Sequence, residues 1–267
     1  MRVAATLAGT AVLALTLAVA AASAAPSTHA RTSAGTLTFC SDITYPPEEF
    51  YQGTKPAGSD IDIGTEVAKR MGKSAKFANT GFDGIIAALQ AKKCDAVISG
   101  MNDTPQRRKQ VNFVDYLSVG QSLMVKKGNP DHISNLASLA GKTVSVEVGT
   151  TNKDFLDAAS KSLQKKGKSG IKVQAFPKDT DAAAALKTGR VDAYFGDSPV
   201  VAYYISKDSS FAFAGSPINP IPVGIAIRKD DAATNAGVKK AIAGMYRDGT
   251  MKRILAKWKM NAFALKT

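Results

Sequence analysis

The chain has little from which to build a metal centre or a nucleophilic triad. Among 267 residues only two are cysteine and two histidine. His29 falls in a polar leader and His132 in a polar loop, so neither a His/Cys ligand cluster nor a Ser/His/Asp set is visible. Aromatics are sparse at 7%. The densest basic group, Lys161, Lys165, Lys166 and Lys168, has no aromatic residues interleaved with it. The formal net charge of +13 is therefore read as a solvated surface rather than a nucleic-acid or membrane face. Past the first 25 residues no second long hydrophobic run appears, which excludes a multispanning membrane protein.

What is present begins with a leader. Arg2 precedes a run from Val3 to Ala22 made almost wholly of Ala, Val, Leu and Thr, ending in Ala22-Ser23-Ala24. This pattern predicts a secretory signal over residues 1–25, cut after Ala24 or Ala25. A membrane anchor is the weaker reading, because the run is rich in Ala and no basic stop follows. No Cys stands at the cleavage site, so the expected product is soluble, periplasmic and free of lipid. An oxidising compartment invites a Cys40–Cys94 disulfide, but the expected strands argue against it. Cys40 closes a strand and Cys94 opens a parallel one, about 13–16 Å apart, against about 7 Å at most for bridged Cα atoms. The expectation is two small buried thiols.

One internal echo organises the rest. Ala88-Leu-Gln-Ala-Lys-Lys-Cys-Asp-Ala-Val-Ile-Ser-Gly100 matches Ala185-Leu-Lys-Thr-Gly-Arg-Val-Asp-Ala-Tyr-Phe-Gly-Asp197 in design: a helix end, a basic turn, Asp-Ala, then a short apolar strand. Strands are predicted at 36–40, 76–79, 94–98, 111–113, 121–126, 142–147, 171–176, 191–195 and 223–228. Helices fill most of the gaps and close the chain at 231–247 and 250–258. Repeated βα units predict an α/β fold with doubly wound parallel sheets in two lobes. Lobe 1 is residues 36–120 plus 223–267, and lobe 2 is 121–222. The chain crosses between them near Val119–Leu123 and again near Asn219–Val223, a two-strand hinge.

Ligands of such sheets gather beyond the carboxyl ends of the strands. The loop after the third strand runs from Gly100 through Asn102 to Thr104-Pro105, a helix start with free N–H groups. Arg107 there presents a planar fork suited to a carboxylate, although Arg107, Arg108 and Lys109 also read as an ordinary basic patch. In the second lobe Glu147-Val-Gly-Thr-Thr151-Asn152 offers further donors. Asp197 ends a strand, either to receive an ammonium group or merely to cap the next helix. A cation on one lobe and an anion on the other match the two ends of a zwitterion.

Gly58-Ser-Asp-Ile-Asp-Ile63, Phe82-Asp-Gly-Ile-Ile86, Cys94-Asp-Ala-Val-Ile98, Thr104-Pro-Gln-Arg107 and Val111-Asn-Phe-Val-Asp115 resemble the polar amino-acid-binding proteins of ABC importers, family 3 of the bacterial extracellular solute-binding proteins. The resemblance spans about Leu37 to Trp258. It implies the type II periplasmic-binding-protein clamshell and gives Arg107 the ligand α-carboxylate and Asp197 its α-amino group. It makes Tyr45 and Phe82 an aromatic pair around the side chain, Asp42 the reader of the head group, and Thr151 a support for the carboxylate. Asn102 replaces the Ser or Thr often found there, and Glu147 stands where the family often has a neutral or basic residue. Asp42, Glu48 and Glu147 would form an acidic compartment favouring a cationic or amide side chain: Lys, Arg, ornithine or His first, Gln second.

The expectation is thus a monomeric receptor, not an enzyme, without cofactor or metal. It would bind a polar or cationic amino acid, with no nucleic-acid partner, and pass the ligand to an ABC transporter permease. A cyclohexadienyl (arogenate/prephenate) dehydratase-like enzyme on the same fold is the alternative, with Glu147 or Glu48 as general acid. A sensor module of a larger receptor ranks third, since no further domain is seen.

Overall fold

In the computed structural model of the chain, Met1 and residues 35–265 are described, so the predicted signal segment lies outside the described residues. The elements, in order, are strands β1 (Thr36–Ser41), β2 (Thr44–Tyr45), β3 (Glu49–Gln52) and β4 (Lys55–Ala57), helix α1 (Ser59–Arg70), β5 (Ser74–Asn79), α2 (Ile85–Gln90), β6 (Ala96–Val97), α3 (Pro105–Arg108), β7 (Val111–Lys126), β8 (Thr143–Glu147), α4 (Thr151–Lys165), β9 (Lys172–Phe176), α5 (Asp179–Lys187), β10 (Ala193–Asp197), α6 (Ser198–Lys207), β11 (Phe211–Arg228), α7 (Ala232–Arg247) and α8 (Thr250–Lys257). Eight strands form one sheet in the order β5-β1-β6-β11-β7-β10-β8-β9, and β2-β3-β4 form a small second sheet. Parallel strands occupy both ends of the large sheet, β5-β1-β6 at one and β10-β8-β9 at the other.

Each end buries its own apolar residues. Leu37, Phe39, Ile63, Val67, Ile225 and Met245 cluster at the first end, and Val144, Val146, Leu156, Leu163 and Phe195 at the second. Further clusters cover the opposite faces, with Cys40, Ile85 and Leu89 in one and Ala182, Leu186, Val200 and Tyr194 in the other. Burial on both sheet faces is the doubly wound arrangement predicted from the βα repeats.

The echoed segments are the same device used twice. After α2 and after α5 the chain turns through a positive-φ residue, Lys92 (φ 57) or Gly189 (φ 76). An Asp then clamps the neighbouring parallel strand. The Asp95 carboxylate accepts the Thr38 N–H at 2.8 Å and the Asp95 N–H donates to the Thr38 carbonyl at 2.8 Å; Asp192 makes the same pair of bonds with Thr143, at 2.7 and 2.9 Å.

Two expectations are corrected. Cys40 and Cys94 are not free thiols but a disulfide, with Cα atoms 5.6 Å apart. The spacing argument failed because β6 is only Ala96–Val97. Cys94 belongs to the preceding turn, which folds it onto the sheet face where Cys40, Ile85 and Leu89 pack. Nor are 111–113, 121–126 and 223–228 separate short strands. They belong to two long strands, β7 and β11, that pair with each other at the centre of the sheet, β11 beside β6 and β7 beside β10. The Pro217–Pro222 segment sits within β11 because register irregularities between Ala214 and Ile221 relieve the missing N–H donors.

Candidate functional site

The carboxyl ends of β1, β6, β8 and β10 and the loops that follow them meet at a small closed cavity. Its walls are Asp42, Tyr45, Phe82, Gly100, Asn102, Glu147, Thr150, Asn152 and Asp197. Seven of these are the residues expected from the sequence. Thr151 lies behind Asn102, its hydroxyl donating to Asn102 Oδ1 at 2.5 Å. Arg107 lies at the edge, its guanidinium 5.2 Å from the Phe82 ring centroid. It donates to the Asn102 carbonyl at 2.8 Å and, from the other end of the sheet, to the Gly149 carbonyl at 3.1 Å. The helix that carries it, α3, is only one turn long, so position rather than a helix dipole defines this corner.

The two ends of the sheet touch around the cavity. Tyr45, beside Asp42, is buried among Met124, Ala182, Leu186 and Tyr194 of the other end, and its hydroxyl accepts the Asp197 N–H at 3.3 Å. Gly149 has φ +77, and a Cβ there would lie 2.8 Å from Asp83 Cα, so only glycine permits this approach. Away from the cavity, Phe50 and Tyr203 pack with centroids 5.6 Å apart.

The expected donors and acceptors are not equally available. The Gly100 N–H is already given to the Asp60 carboxylate at 2.8 Å, which also accepts the Tyr116 hydroxyl at 2.6 Å. Asp42 is likewise engaged, accepting the Thr44 hydroxyl at 2.7 Å and the Phe82 N–H at 2.8 Å. Glu48 is buried but is not on the cavity wall; Asp60 and Asp197 are its acidic neighbours. The acidic compartment therefore differs from the expected trio: Asp42, Glu147 and Asp197 face the cavity. Glu147 Oε1 and Asn102 Nδ2 are buried with no hydrogen-bond partner among the described residues.

The side chain of Asp197 does not act as the helix cap that one sequence reading made it. It stands at the N-cap of α6, yet its side chain makes no capping bond. It accepts instead from Asn152 Nδ2 at 3.1 Å. Burial raises its pKa to about 6, against the pull of Asn152, Tyr45 and Arg107. Glu147 is pushed well above the ordinary carboxylate range, first by burial and then by Asp179, Asp42 and Asp197. Asp42 is raised by burial despite its two hydrogen bonds, and burial lowers the Arg107 guanidinium. A hollow that strains several carboxylates toward the neutral form is one that gains from a cation.

Sequence reasoning placed Thr150 and Asn152 only within the donor segment 147–152 and missed Asp179. Thr150 caps α4 by accepting the Lys153 N–H at 3.2 Å, which the Gly-Thr-Thr start could have signalled. Asp179, raised to about 7 chiefly by burial, accepts the hydroxyls of Tyr194 and Tyr204 at 2.5 and 2.8 Å. Both tyrosines come from later elements, so no local pattern marks Asp179.

The model for bacterial extracellular solute-binding proteins, family 3, matches residues 37–261. The chain belongs to this family. It is 30% identical over 246 residues to ABC transporter arginine-binding protein 1 of Escherichia coli (strain K12), covering 90% of this chain and 97% of the relative. It is 32% identical over 257 residues to the lysine/arginine/ornithine-binding periplasmic protein of the same strain, covering 92% and 95%. Among solved structures, an ancestral arginine-binding protein bound to arginine superposes with a TM-score of 0.78 at 37% identity, covering 85% of this chain and 99% of that one. The two-lobed clamshell of the family is the fold described above, with β7 and β11 as the strands shared by its halves. Its members are named as binding proteins, and the dehydratase alternative is not favoured by them. No helix among the described residues is long and apolar enough to cross a membrane.

Proposed function

We propose that this chain is a periplasmic receptor that closes around a cationic amino acid, arginine or a close homologue, and delivers it to an ABC transporter permease. The lobes are residues 36–120 with 223–267 and residues 121–222, each supported by its own hydrophobic clusters. Closure is a hinge motion of β7 and β11. The observation that carries the reading is the charge of the cavity wall: Asp42, Glu147 and Asp197 line it, with the Arg107 guanidinium at its edge.

In the bound complex Arg107 exchanges its carbonyl partners for the ligand α-carboxylate, with Thr151 and Asn102 Nδ2 alongside. Asp197 takes the α-ammonium. Tyr45 and Phe82 flank the aliphatic stem, and Glu147 meets the cationic head group, giving its orphan oxygen a partner. The Gly100 amide, held by Asp60, positions the loop under the ligand. No bond is made or broken in this sequence of events.

The test is a thermal-shift and calorimetric screen of the mature chain against all common amino acids, since a ligand that binds only the folded state raises its stability. Arginine, lysine or ornithine should give the largest shift. Arg107→Ala should cost about 2–5 kcal/mol of affinity, as expected for a desolvated charge pair losing one partner. A screen in which only acidic or aromatic compounds bind overturns the reading, and turnover of prephenate or arogenate would install the enzyme in its place.

A further inference from the structure

Asp197 is not held by its own loop but by a relay of amides that starts in the hinge. Asn219 Nδ2 donates to Gln121 Oε1 at 3.2 Å, Gln121 Nε2 donates to Asn152 Oδ1 at 2.7 Å, and Asn152 Nδ2 donates to Asp197 Oδ1 at 3.1 Å. Asn219 belongs to β11, one long strand, and Gln121 to β7, the other. Gln121 is also the direct strand neighbour of both Asp197 in β10 and Ile218 in β11. Asn219 has φ 51 and lies where the β7–β11 register breaks, between Ile218 and Ile221. Three members are nearly free of solvent: Gln121 at 1%, Asn152 at 3% and Asp197 at 2% exposure.

The direction of the relay is fixed by its end. An ionised carboxylate only accepts, so Asn152 must present its NH₂ group to Asp197. Its carbonyl then faces Gln121, which must in turn present its own NH₂ group, leaving Gln121 Oε1 for Asn219. Every donor points toward Asp197. Each amide thus keeps a buried carboxylate oriented without supplying any charge that would compete with a ligand cation.

We infer that Gln121, seconded by Asn219, is a positioning residue of the binding site: the relay transmits the geometry of the hinge to Asp197 and so sets the affinity for the ligand's α-ammonium group. The inference rests on the reading that Asp197 receives that group. It makes a distinction that packing alone would not. A change at Gln121 should be felt by ligands that carry the ammonium and ignored by those that lack it.

The experiment uses the mature chain, with arginine and its desamino counterpart 5-guanidinopentanoate as probes, titrated by calorimetry and by ligand NMR where dissociation constants reach the millimolar range. Wild-type protein preferring arginine over the desamino probe supports the role of Asp197; equal affinity would remove that role and the proposed function with it. Gln121→Met, similar in shape but without donors, should weaken arginine about tenfold and change the desamino probe less than twofold. Gln121→Glu forces Asn152 to turn its NH₂ group away and its carbonyl toward Asp197, so arginine should weaken further while the desamino probe again holds. Asn219→Gly keeps the backbone conformation and should give a smaller loss with the same selectivity. Thermal melts of the ligand-free variants verify folding. If the variants weaken both probes by the same factor, or neither, Gln121 only packs the hinge and the inference fails although wild-type arginine binding stands.

Discussion

The two ends of the sheet are built from one unit and use it differently. The clamps that pair Thr38 with Asp95 and Thr143 with Asp192 bring the two units into register, matching Cys40 with Ser145, Cys94 with Val191, Asp42 with Glu147 and Gly100 with Asp197. In the first unit the pair behind the clamp is a disulfide; in the second, Ser145 donates its hydroxyl to the Ala182 carbonyl at 2.8 Å. At the strand end the first unit places Asp42, with an accepting bond on each carboxylate oxygen, and the second places Glu147, with one oxygen unpartnered. In the echoed loop the first has a glycine whose amide is taken, and the second a carboxylate aimed at the cavity. The first unit is tied down and serves as a fixed wall. The second carries a Glu147 oxygen without a partner among the described residues and an Asp197 held through Asn152.

The largest effect should come from making the first unit like the second. Cys40→Ser with Cys94→Val removes a cross-link between residues 54 apart in sequence, and the chain-entropy model gives a loss of about 4 kcal/mol in denaturant unfolding. Ligand affinity should persist, and unchanged stability would mean the bridge does not tie the unit down. Next, Asp197→Asn should cost about 3 kcal/mol of calorimetric affinity, as for a buried charge pair losing its anion.

The pair Asp42 and Glu147 then separates wall from reader. Glu147→Gln should weaken a cationic amino acid by about 2 kcal/mol and leave a neutral one unchanged, whereas Asp42→Asn should mainly lower stability, by about 1 kcal/mol. Equal discrimination by both variants would erase the distinction.

The pH dependence sharpens the contrast at Asp197 itself. Asp197 has its pKa raised from 3.8 to about 6 in the folded chain, so the protonated form is favoured by folding. The stability it contributes is fully present below 3.8 and is lost as pH rises through about 6. Affinity for an ammonium ligand should run the other way, falling by up to about tenfold per unit as pH drops below 6. Calorimetry across this range, with Asp197→Asn flattening the profile, checks both signs.

Much of this was readable from the sequence, and the failures have a common cause. The Thr104-Pro105 helix start and the Asp-Ala turns depend on neighbours within a few residues, so pattern and capping found them. Seven of the cavity residues were found because strand ends and the family motifs fix their place in the fold. The disulfide was missed because its Cα separation depends on how a turn folds over a sheet. The long strands were cut short because Asp115, Ser118 and the prolines interrupt an apolar pattern that pairing on both sides restores. The parts that Asn152 and Gln121 play beside Asp197 were missed because their partners are distant in sequence.

By itself the sequence determined most of the helices and parallel strands, their doubly wound order and the residue types at the strand ends, because these follow from local periodicity and backbone chemistry. Only the tertiary structure decided which of those polar groups were already satisfied. That depends on long-range partners: Asp60 for Gly100, Phe82 for Asp42, and the Asn219–Gln121–Asn152 relay for Asp197. A buried polar atom's availability to a ligand is set by what else has reached it, and the chain settles that only once residues distant in sequence have packed together.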